Sequence, residues 1–304
     1  MINLIAASWK NWLLQRRRWI PTVSHLPFLY FCGWLIVRPL GFLFEKIEQN
    51  DLSLVGTLFT FTFFLFTLPS WVKFRWRYRK PSLALGLSGL ASKHSVRSFF
   101  RGFCWAGVLL VCILAPIFLG SWGDLVGGGI SIANFINAVF LGIGVGFAEE
   151  LVFRSWLWGE ANLLVGASKG IFLQAGIFSL AHLSALIKSD LSFVELISLL
   201  IGLFLLGLVL ALRRILDNGS LSGCIGLHGG LVGLWFLIDA DLIEILPTTP
   251  TWIVGPGSVT PNPIGGLIGI VCLALTLFCY RTAFAIAERP SNGARNASAK
   301  GATP

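Results

Sequence analysis

Charge is scarce in this chain. Of 304 residues only 12% are charged, against 55% hydrophobic, whereas a soluble domain of that length needs far more polar surface to cover it. The shortage excludes a soluble globular protein and marks an integral membrane protein, in which buried charge is expensive. Cysteine is present without pattern. The six (Cys32, Cys104, Cys112, Cys224, Cys272 and Cys279) form no CxxC pair, so neither a disulfide framework nor a structural zinc site is indicated, and they read as packing residues. The H-E-x-x-H zinc motif is absent, and no repeat of fixed period is visible. The N-terminus is not ordered like a signal peptide, because its charges follow its apolar part.

What the chain has in abundance is long apolar runs. Taken at about 20 residues per crossing, they predict eight spans: 26–44, 52–72, 100–120, 131–157, 169–187, 193–212, 221–238 and 264–283. The expected fold class is therefore all-α, a polytopic integral membrane protein with about eight transmembrane helices spanning 26–283. The first 25 residues are expected as a cytoplasmic segment, with Leu4, Ile5, Trp9, Trp12 and Leu13 set against Lys10 and Arg16–Arg18 as an interfacial amphipathic helix. Residues 284–304, ending "RPSNGARNASAKGATP", are too polar to order themselves and read as a disordered cytoplasmic tail.

Eight spans place both termini and every second loop on one side, and the basic residues follow that alternation. Lys10, Arg16–Arg18, the 73–101 loop, Lys169, Arg213, Arg214 and the tail take most of the 23 Lys and Arg. The opposite loops hold Glu45, Glu48, Asp51, Asp124, Asp190, Asp239, Asp241 and Glu244 against Lys46 and Lys188. The net charge of +9 thus belongs almost entirely to one face. It reads as topology, with both termini cytoplasmic and no nucleic-acid partner. The loop "VKFRWRYRKP" is read in the same way, as an orientation signal.

Inside the spans the ionisable residues are few. Glu149, Glu150 and Arg154 fall in the fourth, Glu195 near the start of the sixth, His182 in the fifth and His228 in the seventh, while His25 and His94 read as lying outside. At about 100° per residue Glu150 and Arg154 share a helix face, in the favourable order with the acid first. Glu149 points elsewhere, about 140° from Arg154, and is left to meet a group on another helix. An acid so placed is suited to take a proton from water. A structural ion pair is the plainer reading of Glu150 and Arg154, and Gly142, Gly144 and Gly146 fit close helix packing. Counted at 1.5 Å per residue from the cytoplasmic side, Glu149, His182 and His228 lie roughly 14, 20 and 10 Å deep.

"EELVFR" has the form E-E-x-x-x-R and "FSLAH" the form F-x-x-x-H, with His228 following in "CIGLHGGLV". In that order the chain resembles the CPBP family, the CAAX protease and bacteriocin-processing (Abi) family of intramembrane glutamic endopeptidases, over about residues 130–240. The resemblance implies a peptidase of membrane-associated protein or peptide substrates, working without cofactor or metal in a lipid bilayer, either the bacterial inner membrane or a plastid or thylakoid membrane. It implies Glu149 as the activator of water, His182 beside it, and Glu150 and Arg154 as the pair that shapes the site. His228 matches the first residue of the family's H-x-x-x-N motif, whose His and Asn stabilise the oxyanion. The Asn position is Val232, which has no donor, so the oxyanion region around Gly229 and Val232 is either weaker, completed by another group such as His228 or the backbone N–H groups near Gly229 and Gly230, or not used for proteolysis. A non-catalytic membrane partner, a metal-dependent protease and a transporter remain as alternatives.

Overall fold

Helices dominate the computed structural model, which describes residues 2–14, 19–43, 49–186, 191–246, 248–257 and 261–287. In chain order they are α1 (Ile2–Leu13), α2 (Trp19–Leu43), α3 (Gln49–Phe74) and α4 (Lys93–Leu119), followed by a long rod, α5, from Ile132 to Val165. Then come α6 (Ala167–Ala181), α7 (Phe193–Leu216), α8 (Ser222–Asp241), α9 (Leu267–Cys279) and α10 (Arg281–Ala287). The chain is an all-α membrane protein with one small addition that periodicity did not announce. Strands β1 (Gly123–Leu125) and β2 (Ile243–Ile245) pair antiparallel, Gly123 opposite Ile245.

Each of the eight apolar runs holds a helix, but among the described residues six helices are long and apolar enough to cross a membrane: α2, α3, α4, α5, α7 and α8. The other two fall short. At 1.5 Å per residue, α6 and α9 reach only about 22 and 20 Å, less than a hydrocarbon core of about 30 Å. α2 begins at Trp19 instead of 26 and so takes in His25, which is buried among aromatic rings and not outside the span. At the other end α10 carries the helix to Ala287, and the expected disordered tail beyond it falls outside the described residues, as do Lys46, Lys188 and Asp190. The six cysteines are free, and only Cys224 is fully buried; Cys104, Cys112 and Cys279 are exposed, which corrects their reading as packing residues.

The helix ends sort by side. Trp76, His94, Asn162, Arg214 and Asn218 line one hollow. At the opposite end Asp241 accepts hydrogen bonds from the Ser131 amide and the Asn134 side chain, beside the small sheet. Two of the basic segments predicted to share a side, the 73–101 loop and the turn after α7, therefore meet at one end of the bundle.

α8 is the structural axis of the site, and its glycines explain how. On one face, a Cβ at Gly229 would collide with the carbonyl oxygen of Gly142, and one at Gly146 would press on Gly229. On another, a Cβ at Gly102 of α4 would strike the carbonyl of Gly223. Small residues at both contacts let α4 and α5 lie directly on the α8 backbone. Gly142 and Gly146 thus pack as expected, whereas Gly144 is exposed and a Cβ there would meet no neighbour. α7 supplies the apolar centre, with Leu206 and the run Leu208–Leu212 buried all round.

Candidate active site

Three helices bring the site together. α5 is interrupted where the acids lie: after Glu149 the backbone winds as a π-helix from Glu150 to Leu157 before returning to α-helix at Trp158. Such turns are rare and concentrate at functional sites. The interruption sends the two acids to different partners. Glu150 is completely buried and Glu149 is 31% exposed.

Glu150 keeps the partner expected of it and gains one that spacing did not show. Arg154 Nη1 stands 3.2 Å from Glu150 Oε1, with both side chains fully buried. His228 Nδ1 lies 2.8 Å from the same oxygen. The ring therefore donates Nδ1–H to the carboxylate, an assignment that follows from the contact, and Nε2 is left to face the site.

His182 is held by the same device in another form. It stands at the C-terminus of α6, not in the middle of a span, and its Nδ1 is 2.8 Å from the carbonyl oxygen of Phe178 one turn back. A side chain that donates to one of the last carbonyls satisfies a group the helix would otherwise leave orphaned. The chain then turns into the short helix Leu183–Leu186. With Nδ1 engaged, Nε2 of His182 also faces inward.

Both imidazoles meet Glu149. Nε2 of His182 and Nε2 of His228 are each 3.9 Å from Glu149 Oε2. That oxygen is buried and has no hydrogen-bond partner within the protein. Among the described residues no group of three or more His, Cys, Asp or Glu is arranged to hold a metal ion.

Phe178, quoted within the F-x-x-x-H motif but given no role there, ties the cluster together. Its buried ring receives the Arg154 guanidinium at 3.9 Å from the centroid and lies edge-on to His182 at 4.8 Å. A cation over a desolvated ring is worth about 2 kcal/mol, so Arg154 is held by the carboxylate on one side and the ring on the other. The Arg154 carbonyl in turn accepts a hydrogen bond from Arg214, whose remaining donors reach the Gly219 and Ala84 carbonyls. Glu195, the third acid of the predicted spans, closes a capping box with Ser192 at the start of α7 and takes no part.

The geometry corrects the expected oxyanion region. Gly229 and Gly230 are buried in the interior of α8, where their amides belong to the helix and their surfaces are pressed on Gly142 and Ala106. They offer no free backbone donor. Val232, one turn beyond His228 on the same helix, is half-buried.

The ordered acids, the two imidazoles and the intervening apolar helices agree with one comparison. Residues 131–234 match the family model described as type II CAAX prenyl endopeptidase Rce1-like. This segment is a CPBP-family protease domain. The CPBP domain contains Glu149, Glu150, Arg154, His182 and His228, and it begins at the N-terminus of α5. Residues 2–80 match a second model, described as a domain of unknown function, DUF8676. No curated protein and no solved structure matches the chain.

Proposed function

We propose that the chain is an intramembrane endopeptidase that hydrolyses peptide bonds of membrane-associated proteins or peptides with water activated by Glu149. The observation that carries this reading is the convergence of two Nε2 atoms, each at 3.9 Å, on the unpartnered Oε2 of Glu149. That separation is too long for a hydrogen bond, and in this reading a water molecule admitted beside the partly exposed Glu149 side chain bridges it. Such a water donates one hydrogen to Glu149 and the other to an imidazole, and directs a lone pair at the substrate carbonyl. Glu149 takes the proton during attack and returns it to the leaving amine.

The oxyanion requires a donor that Val232 cannot be. His228 is placed for the task in its protonated form, with Nδ1–H on Glu150 and Nε2–H toward the site. Glu150 and Arg154 then hold the imidazolium in place, much as a buried carboxylate orients a catalytic histidine elsewhere.

The site is not sealed: the side chains of Glu149 and His182 are about a third exposed, at 31% and 30%, which leaves an approach for a substrate. Eight crossings with both termini cytoplasmic, in a bacterial inner or a plastid membrane, complete the reading; the fifth and eighth then rest on α6 and α9, which are shorter than the hydrocarbon core and need their flanking residues to complete the crossing.

Cleavage of a membrane-anchored peptide by the purified chain in liposomes tests it. His182→Ala and His228→Ala should each lower the rate about 100-fold or more. Either variant working at the wild-type rate would remove its histidine from the mechanism. The absence of a donor at Val232 favours one other reading, a non-catalytic membrane partner of the same fold, in which no peptide is cut at all.

A further inference from the structure

The segment matched by the domain of unknown function meets the CPBP domain on the helix that bears the acids. Three residues beyond the π-helical turn, Glu160 is completely buried. Its carboxylate is saturated by donors that all come from residues 2–80. The indoles of Trp71 and Trp76 donate to Oε1 at 2.8 and 2.7 Å. Arg75 Nε donates to both oxygens, and Nη2 pairs with Oε2 at 2.7 Å. The Thr22 hydroxyl donates to Oε2, and Arg75 reaches on to the Leu13 carbonyl at the end of α1. Arg75 is therefore no free topology charge of the basic loop.

The turn itself is gripped as well. Leu151, Trp156 and Leu157 share a buried cluster with Leu13, Leu29, Phe64, Leu68, Trp71 and Val72, and Trp156 lies edge-on to Phe64 at 5.9 Å and to Trp71 at 5.5 Å. One side of the π-helical turn thus faces the histidines while the other is packed on segment 2–80. A π-helical turn holds one residue more than the α-helix would. Relaxation to α-helix would rotate one flank against the other by about 100°, taking either the acids from the histidines or Trp156 and Glu160 from their partners. A buried carboxylate with several charge-assisted bonds resists that rotation.

We propose that segment 2–80 is an intramolecular brace, and that Glu160 is the positioning residue through which it holds the acid-bearing turn in its π-helical register. The proposal rests on the reading of Glu149 and Glu150 as the acids of the active site.

The test uses the full chain in liposomes, with hydrogen exchange followed by mass spectrometry over residues 150–157 and, separately, peptide cleavage. Glu160→Gln should raise exchange over 150–157 by about tenfold or more while the core of α7 keeps its wild-type protection. It should also lower kcat about tenfold with KM within about twofold, and Glu160→Asp should recover part of the loss. Trp76→Phe removes a single donor, leaves the ion pair, and should act in the same direction to a smaller extent; it decides the matter if Glu160→Gln does not fold. Unchanged exchange over 150–157, an equal rise throughout α7, or an unchanged kcat in an active enzyme would overturn the brace. A wild-type chain that cuts nothing would remove the protease reading, and the exchange pattern would still decide for or against the brace.

Discussion

His228 and Glu150 are joined by a 2.8 Å contact between Nδ1 and Oε1, across 78 residues of sequence. The second glutamate of the E-E-x-x-x-R motif thus addresses a histidine as well as the arginine. It fixes which nitrogen of that histidine faces Glu149. The two adjacent acids are placed differently: Glu150 is fully buried and paired, and Glu149 is partly exposed between the two histidines.

If Glu150 orients His228, Glu150→Gln should lower cleavage by about 10- to 100-fold, the usual cost of losing such a supporting partner. Gln accepts the same hydrogen bond without the charge, so the pH profile of kcat should also move. A variant with an unaltered rate and profile would show that the contact has no part in the reaction.

Arg154 balances Glu150 from the other side. Arg154→Ala leaves a buried carboxylate without its cation and empties the face of Phe178, at a cost of about 3–5 kcal/mol. Thermal melting in detergent should show a large drop. Wild-type melting would reject the ion pair as a stabilising element.

Val232 is the position where this chain departs from H-x-x-x-N. One turn from His228, it lies where an amide would reach the same region. Val232→Asn should raise turnover, by up to about 100-fold if one oxyanion donor was missing, while Val232→Ala should not. A folded Val232→Asn protein no faster than wild type would mean that His228 already suffices, or that no tetrahedral intermediate forms.

Much of this was legible in the sequence because apolar runs and their 3.6-residue period report burial directly. The E-E-x-x-x-R spacing likewise placed Arg154 on Glu150. What was not legible depends on contacts between distant segments. Arg75 stands among exposed basic residues in "VKFRWRYRKP", and nothing local distinguishes it as the partner of Glu160, 85 residues away. The angle between Glu149 and Glu150 was read for an α-helix, and the π-helical turn is invisible to that arithmetic. His182 looked like the middle of a span because the apolar run continues through Ala185, although the helix stops at Ala181. His25 looked like a flanking residue, yet it sits 4.3 Å from the Trp71 ring in an aromatic cage.

The orientation reading predicts that the 73–101 loop is cytoplasmic. A reporter fused after residue 90 should be active on the cytoplasmic side. Activity on the far side would invert the topology and break the assignment of the basic loops.

The central claim is that Glu149 activates the attacking water, and Glu149→Gln tests it most directly, since Gln keeps the size of the side chain and removes its basicity. Cleavage of a membrane-anchored peptide in liposomes is measured for wild type and variant, alongside melting of both. The account predicts that the variant melts close to the wild type, because Glu149 Oε2 has no hydrogen bond within the protein to lose, and that cleavage falls by about 100-fold or more. A folded Glu149→Gln protein that cuts at the wild-type rate would contradict it.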